Sequence, residues 1–119
     1  MAVTVLIVDD DARFRDLARR MLTSWGYQPD GEAGSVAEAV QRVAESRADV
    51  ALVDVSLPDG DGLELSRVLS GAPWHMRVVL MSSNSDATTS QEAVAAGAVA
   101  FLPKADLSHA LLQSAIEPG

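Results

Sequence analysis

Asp9, Asp10 and Asp11 follow the apolar run Val3-Thr4-Val5-Leu6-Ile7-Val8, and a second apolar run, Val50-Ala51-Leu52-Val53, ends on Asp54. A third, Val99-Ala100-Phe101-Leu102, is followed by Pro103 and then Lys104. Short β-branched runs of this kind read as buried strands of a parallel sheet. In an open α/β sheet, ligands bind outside the carboxyl ends of the strands, so these charges are expected to converge. Up to four carboxylates in one place repel one another unless a cation joins them. Lys104 supplies one positive charge, and a hard divalent ion is the natural second. Asp10 and Asp54, with a loop carbonyl and waters, could hold Mg²⁺ in an octahedron of oxygens. A carboxylate beside Mg²⁺ can act as a nucleophile toward phosphorus and form an aspartyl phosphate. Phosphoryl transfer needs mainly positioning and charge neutralisation. The metal and Lys104 could neutralise phosphoryl oxygens, and the hydroxyl of Ser82, at the end of the run Val78-Val79-Leu80-Met81, could hydrogen-bond another.

The elements that must position these residues alternate along the chain. Phe14, Leu17, Ala18, Met21, Leu22 and Trp25 recur at three- and four-residue spacing, one apolar face of a helix, and Gly26 stops it. Residues 27–33 are a weak strand, polar and interrupted by Pro29, which places it at a sheet edge. Ser35-Val36-Ala37-Glu38 has the form of a capping box, opening a helix with Val36, Val40, Val43 and Ala44 on one face. After the strand 50–54, residues 56–62 read as a loop rich in Pro, Gly and Asp, followed by a helical stripe of Leu65, Val68, Leu69 and Ala72. A strand over 77–82, a small and polar helix over 87–96 closed by Gly97, and a strand over 99–102 come next. Leu107, Ala110, Leu111 and Ala115 form the last helix, with Asp106 as its N-cap. Five strands alternating with five helices, joined by right-handed crossovers, predict helices on both faces of a parallel sheet. The expected fold class is α/β, a doubly wound five-stranded sheet of the flavodoxin-like (βα)5 kind. Periodicity does not reveal the strand order.

A chain of 119 residues, 48% hydrophobic and 22% charged, suits one folded domain with a single core, spanning residues 1–119. Its 17 acidic against 9 basic residues give a net charge of −8, which argues against direct binding to DNA, RNA or anionic membranes. The absence of cysteine rules out disulfides and thiolate metal sites. No stretch approaches a membrane span and no basic leader precedes the first strand, so a soluble cytoplasmic protein is expected. Ile116-Glu117-Pro118-Gly119 breaks the last helix, either as a natural terminus or as the start of a linker.

The residues as a set closely resemble the receiver domain of two-component response regulators, over essentially the whole chain. The resemblance rests on Leu6-Ile7-Val8-Asp9-Asp10, Val53-Asp54 and Leu57-Pro58-Asp59-Gly60-Asp61-Gly62. Ser82-Ser83, Ala96-Gly97-Ala98 and Lys104 complete it. Each motif is weak alone; their order and spacing together are specific. The resemblance implies Asp54 as phosphoacceptor, accepting a phosphoryl group from a sensor histidine kinase. It implies Mg²⁺ held by Asp10, by Asp9 directly or through water, by Asp54 and by the backbone carbonyl of Ser56. It further implies Ser82 as the switch hydroxyl, Ser83 as its small neighbour, Phe101 as an aromatic switch and Lys104 as the phosphoryl contact. Ser56 and Asn84 would tune the lifetime of the phosphoryl group, and neither can act there as a carboxylate ligand or base. The chemistry would be self-catalysed transfer and autodephosphorylation only, not turnover of a separate substrate. The expected readout is a C-terminal DNA-binding output domain or a partner protein, with homodimerisation on phosphorylation as a family expectation. Pro103 precedes Lys104 and Ala105 follows it, whereas the family often has Pro after this lysine; Leu102-Pro103-Lys104-Ala105-Asp106 looks more like receivers of the NarL/FixJ type.

Plainer roles compete at several positions. Asp11 sits where an N-cap belongs, and capping outweighs metal binding for it. Asp9 and Asp10 could merely end a strand, Ser82 and Ser83 could be ordinary strand-end residues, and Lys104 a solvated surface lysine. Phe101, one of two Phe residues, could fill the core as readily as switch. Pro58 and Gly62 need only a turn, and Trp25, Trp74 and His75 read as structural. Two other functions are compatible with parts of the pattern. A small Mg²⁺-dependent aspartyl-phosphate phosphatase would use Asp9 and Asp11, one residue apart, but would need a cap domain for which 119 residues leave no room. A pseudo-receiver that binds without phosphorylation fits poorly with the set Asp9, Asp10, Asp54, Ser82 and Lys104.

Overall fold

In the computed structural model, which describes residues 2–46, 48–83 and 90–116, the apolar runs become strands of one sheet. The sheet is built from β1 (Thr4–Val8), β2 (Gln28–Ala33), β3 (Val50–Asp54), β6 (Arg77–Ser82) and β7 (Ala100–Pro103). Its order is β2-β1-β3-β6-β7, with every neighbour parallel. Chain reversal between the two halves of that order leaves a crevice beyond the carboxyl ends of β1 and β3. The polar strand with Pro29 is the edge, where a missing backbone N–H costs no central ladder bond.

Alternation along the central strands divides the core in two. Leu6, Val8, Ala51, Val53, Val78 and Leu80 face a cluster completed by α2 (Val36–Glu45), α3 (Gly62–Ser70) and α4 (Ser90–Ala95). Val5, Ile7, Val50, Leu52, Val79 and Met81 face the other, completed by α1 (Ala12–Ser24) and α5 (His109–Ile116). The doubly wound (βα)5 architecture predicted from alternation is the one observed.

Several local expectations hold in detail. Asp11 caps α1, its carboxylate accepting from Arg13 N–H at 2.9 Å. Gly26 ends that helix with φ +91°, in the left-handed region that favours glycine. Ser35 caps α2 through Glu38 N–H at 3.1 Å, while the Glu38 carboxylate returns to Gly34 N–H, one residue ahead of the usual capping-box partner.

Three expectations need correction. The loop over 56–62 contains a short antiparallel ladder of β4 (Ser56–Leu57) and β5 (Gly60–Asp61). The helical stripes are narrower than their apolar spacing suggests: Leu17, Val40, Ala44 and Val68 are exposed, because a helix lying on a sheet buries only the residues directly beneath its axis, and Ala72, also exposed, lies beyond the end of α3 at Ser70. The last helix is rotated by about one residue. Asp106 lies in a 3₁₀ turn over Lys104–Asp106, and Ser108 caps α5 instead, its hydroxyl accepting from Leu111 N–H at 3.2 Å. Starting there, the helix buries Leu112 and Ile116 and leaves Ala110 and Leu111 outside. The helix expected over 87–96 is described over Ser90–Ala95; the positions before Ser90, with Asn84, lie outside the described residues.

Candidate functional site

Parallel register sets four strand ends side by side: Val8 pairs with Val53, Asp54 with Met81 and Ser82 with Pro103. Asp9 leaves β1, Asp54 ends β3 and Lys104 follows β7, so all three reach the same crevice. One carboxylate oxygen from each of Asp9, Asp10 and Asp54 lies within 4.8 Å of the others. Asp9 is fully buried, Asp54 is 4% exposed and Asp10 faces solvent. The Lys104 ammonium ion-pairs with Asp9 Oδ2 and stands 3.0 Å from Asp54 Oδ2. It also lies 4.6 Å from the centre of the Phe14 ring, a cation–π contact the spacing does not announce.

The electrostatics follow from this crowding. Burial raises the Asp9 pKa above the ordinary carboxylate value, against the hydrogen bonds from Lys104 and from Asp11 N–H, which lower it. Burial also works to lower the Lys104 pKa, but hydrogen bonds and charge from Asp9 and Asp54 outweigh it and hold the ammonium above its usual value. Three carboxylates against one ammonium leave two negative charges when all are ionised, the charge a divalent cation would balance. Asp9 Oδ2 is buried and receives no hydrogen bond beyond its ion pair with Lys104. An all-oxygen, anionic and partly buried donor set of this kind fits a hard cation.

The backbone around the carboxylates is held from several sides. Asp9 N–H donates to Ala33 carbonyl at 2.9 Å, and Asp9 Oδ1 accepts from Asp11 N–H at 2.8 Å. The Asp9 carbonyl accepts from Arg15 Nη1 at 2.5 Å, and Arg15 Nε reaches Glu32 at 3.0 Å. Asp54 Oδ1 accepts from Ser56 N–H at 3.0 Å, leaving Oδ2 toward Lys104. Gly62 N–H donates to Val55 carbonyl at 2.8 Å, and a Cβ on Gly62 would lie 2.2 Å from the Asp54 carbonyl oxygen. The turn reading of Gly62 is therefore corrected: close approach to Asp54, not a turn conformation, demands glycine.

The structure thus brings together Asp9, Asp10, Asp54 and Lys104. Ser82 is buried at the end of β6, and Ser56 sits in β4 two residues beyond Asp54. Phe101 is half-buried in β7 and packs against the core cluster on the α2–α4 face. Asp11 points to its own helix rather than into the cluster, which removes the Asp9–Asp11 pairing a phosphatase of the kind considered would need. Trp25 stacks on His109 with ring centres 5.6 Å apart, and Trp74 packs against the core. Arg15, Glu32 and Phe14 were not legible as site residues, because their contacts cross elements and leave no local spacing to read. Asp59 was visible only as part of the loop motif; its partners are Val36 and Ala37 on α2.

The chain matches the response regulator receiver domain over residues 5–117. It is 40% identical over 106 residues to the DNA-binding transcriptional activator DevR/DosR of Mycobacterium tuberculosis, covering 86% of this chain and 48% of that protein. It is 30% identical over 104 residues to the chemotaxis protein CheY of Thermotoga maritima, covering 87% of each. The solved signal receiver domain of the response regulator NarL from Mycobacterium tuberculosis superposes with a TM-score of 0.81 at 29% identity, covering 96% of both chains. The chain spans about half the length of DevR/DosR and, at 45%, of the M. tuberculosis response regulator MprA.

Proposed function

The chain belongs to the response regulator receiver domain family and is of the NarL-like kind, and from that premise we propose that residues 1–119 form a single receiver domain with Asp54 as its phosphoacceptor. The observation that carries this reading is the Lys104 ammonium, which follows β7, held between the buried carboxylates of Asp9 and Asp54 at the ends of the adjacent strands β1 and β3. Asp54 Oδ2 attacks the phosphorus of a phosphohistidine on a sensor histidine kinase; the P–N bond breaks and the imidazole takes up a proton. Asp9, Asp10, Asp54 and the Ser56 backbone carbonyl would hold Mg²⁺, which when bound would offset charge on the transferring phosphoryl oxygens. Lys104, already at Asp54 Oδ2, moves its ammonium to a phosphoryl oxygen and stabilises the added charge. The Ser82 hydroxyl donates to another, with Ser83 leaving it room, and the Ser82 movement draws half-buried Phe101 inward. Ser56 and Asn84 set the lifetime of the product. No external substrate is turned over: the reaction is self-catalysed phosphorylation followed by autodephosphorylation.

The phosphorylated face would then act on an output. DevR/DosR is a DNA-binding transcriptional activator about twice the span of this chain, which supports a C-terminal DNA-binding output domain or a partner protein as the recipient. Homodimerisation on phosphorylation is part of this reading. The net charge of −8 favours an output that reads DNA in place of the receiver itself. Among the described residues no helix is long and apolar enough to cross a membrane, and we place the protein in the cytoplasm with its kinase partner.

The test is intact-mass spectrometry after incubation with acetyl phosphate, with and without Mg²⁺, alongside Asp54→Asn. A single Mg²⁺-dependent phosphoryl adduct that Asp54→Asn lacks is expected. An adduct that persists in Asp54→Asn would move the acceptor elsewhere, and none under any condition, with Mg²⁺ bound by calorimetry, would favour a non-phosphorylated binding module.

A further inference from the structure

The segment leaving Asp54 is clamped. Ser56 pairs with Asp61 and Leu57 with Gly60, and the turn between them carries Asp59 onto the start of α2. There Asp59 Oδ1 accepts from Val36 N–H at 2.7 Å and Oδ2 from Ala37 N–H at 3.0 Å. Those two donors hold its carboxyl below the usual carboxylate range. Gly60 leans on the same helix end, where an added Cβ would lie 3.1 Å from Val36 Cγ2. On the other side Asp61 caps α3 through Leu63 N–H at 2.7 Å, and Gly62 abuts the Asp54 carbonyl. The β4–β5 hairpin is thus fastened to two helices.

The strand β2, which runs into α2, is tied to the other acidic segment. It receives Asp9 N–H at Ala33, and Arg15 joins the Asp9 carbonyl to Glu32. The Asp9 segment is therefore anchored to β2, which runs into α2, and the segment beyond Asp54 is anchored to the first N–H groups of α2 itself. Capping of α2 does not call for Asp59, since Ser35 and Glu38 already form the local cap and the first N–H groups of an exposed helix can bind water. What Asp59 adds is a fixed distance between two loops.

We propose that Asp59 is a positioning residue for the cation site: by gripping Val36 and Ala37 N–H it holds the β4–β5 hairpin, and with it Ser56, in place relative to Asp9 and Asp10. The inference rests on the proposed cation role of Asp9, Asp10, Asp54 and the Ser56 carbonyl. Asp59 touches no ligand; it acts through the hairpin, as outer partners act on metal ligands elsewhere.

The experiment is calorimetric titration with MgCl₂ of the wild-type protein, Asp59→Ala, Asp59→Asn and Ser35→Ala. Asp59→Ala should weaken Mg²⁺ binding about 10-fold, the lower end of the usual cost of losing an outer partner. Asp59→Asn should fall between, because its amide oxygen still accepts. Ser35→Ala removes the local cap of the same helix and should lower stability without changing the Mg²⁺ Kd. Adduct formation from acetyl phosphate in Asp59→Ala should be slow at low Mg²⁺ and recover at saturation. Equal Kd values for Asp59→Ala and wild type, or equal weakening in Ser35→Ala, would overturn the proposal while leaving the receiver reading intact. Failure of the wild-type protein to bind Mg²⁺ would overturn both, and is distinguished by appearing without any substitution.

Discussion

Gly62 shows how tightly the site is built at the level of single residues. Its hydrogen faces the back of Asp54, and a methyl group there would lie 2.2 Å from the Asp54 carbonyl oxygen and 2.8 Å from Val55 Cα, both backbone atoms that cannot swing aside. Overpacking of this kind typically costs about 1–3 kcal/mol. Gly62→Ala should therefore lower the unfolding free energy by that amount, read as a lower urea midpoint, and slow Mg²⁺-dependent adduct formation, since relief of the clash displaces Asp54. An unchanged midpoint and rate would mean the backbone yields there without consequence. The residue types of the site were legible from sequence because strand ends are marked by abrupt passage from apolar to charged residues, as at Val8-Asp9 and Val53-Asp54. Arg15 was not, since its partners, the Asp9 carbonyl and Glu32, lie just past β1 and on β2 while it sits on α1.

Among the elements, α5 separates what periodicity can and cannot say. Leu107, Ala110, Leu111 and Ala115 have helical spacing, yet Leu112 is fully buried and Leu111 is 44% exposed. The phase of a helix is set by where its first turn begins, and here a 3₁₀ turn after β7 delays that point to Ser108. Leu112→Ala should cost about 2–5 kcal/mol, as for a filled core position, whereas Leu111→Ala should stay within about 0.5 kcal/mol. Chemical denaturation of the two variants checks this, and the reverse ranking would restore the phase read from sequence. The α1 and α2 caps were legible because Asp11 and Ser35 act on donors within three residues. Asp59, acting on Val36 and Ala37 from the far side of β3, was not.

For the whole molecule, 17 acidic against 9 basic residues make self-repulsion a cost of compaction, and part of it is concentrated in one crevice. A cation bound there stabilises the folded chain alone, by about 2.7 kcal/mol at one hundred times its Kd. Mg²⁺ should therefore raise the unfolding midpoint, and go on raising it with the logarithm of its concentration above the Kd, and EDTA should reverse the gain; a midpoint insensitive to Mg²⁺ would remove the cation from the site. By itself the sequence determined that strands and helices alternate, that the strands are buried on both faces, and that carboxylates and a lysine leave them at the same end. These follow from local rules: side-chain period, capping, and the hydrophobic runs of a covered parallel sheet. Only the tertiary structure decided the order β2-β1-β3-β6-β7, which face each helix covers, and that Arg15 joins the Asp9 segment to β2 while Asp59 joins the segment beyond Asp54 to the start of α2. Those contacts join residues distant in the chain, and their free energy exists only once the sheet has brought them together.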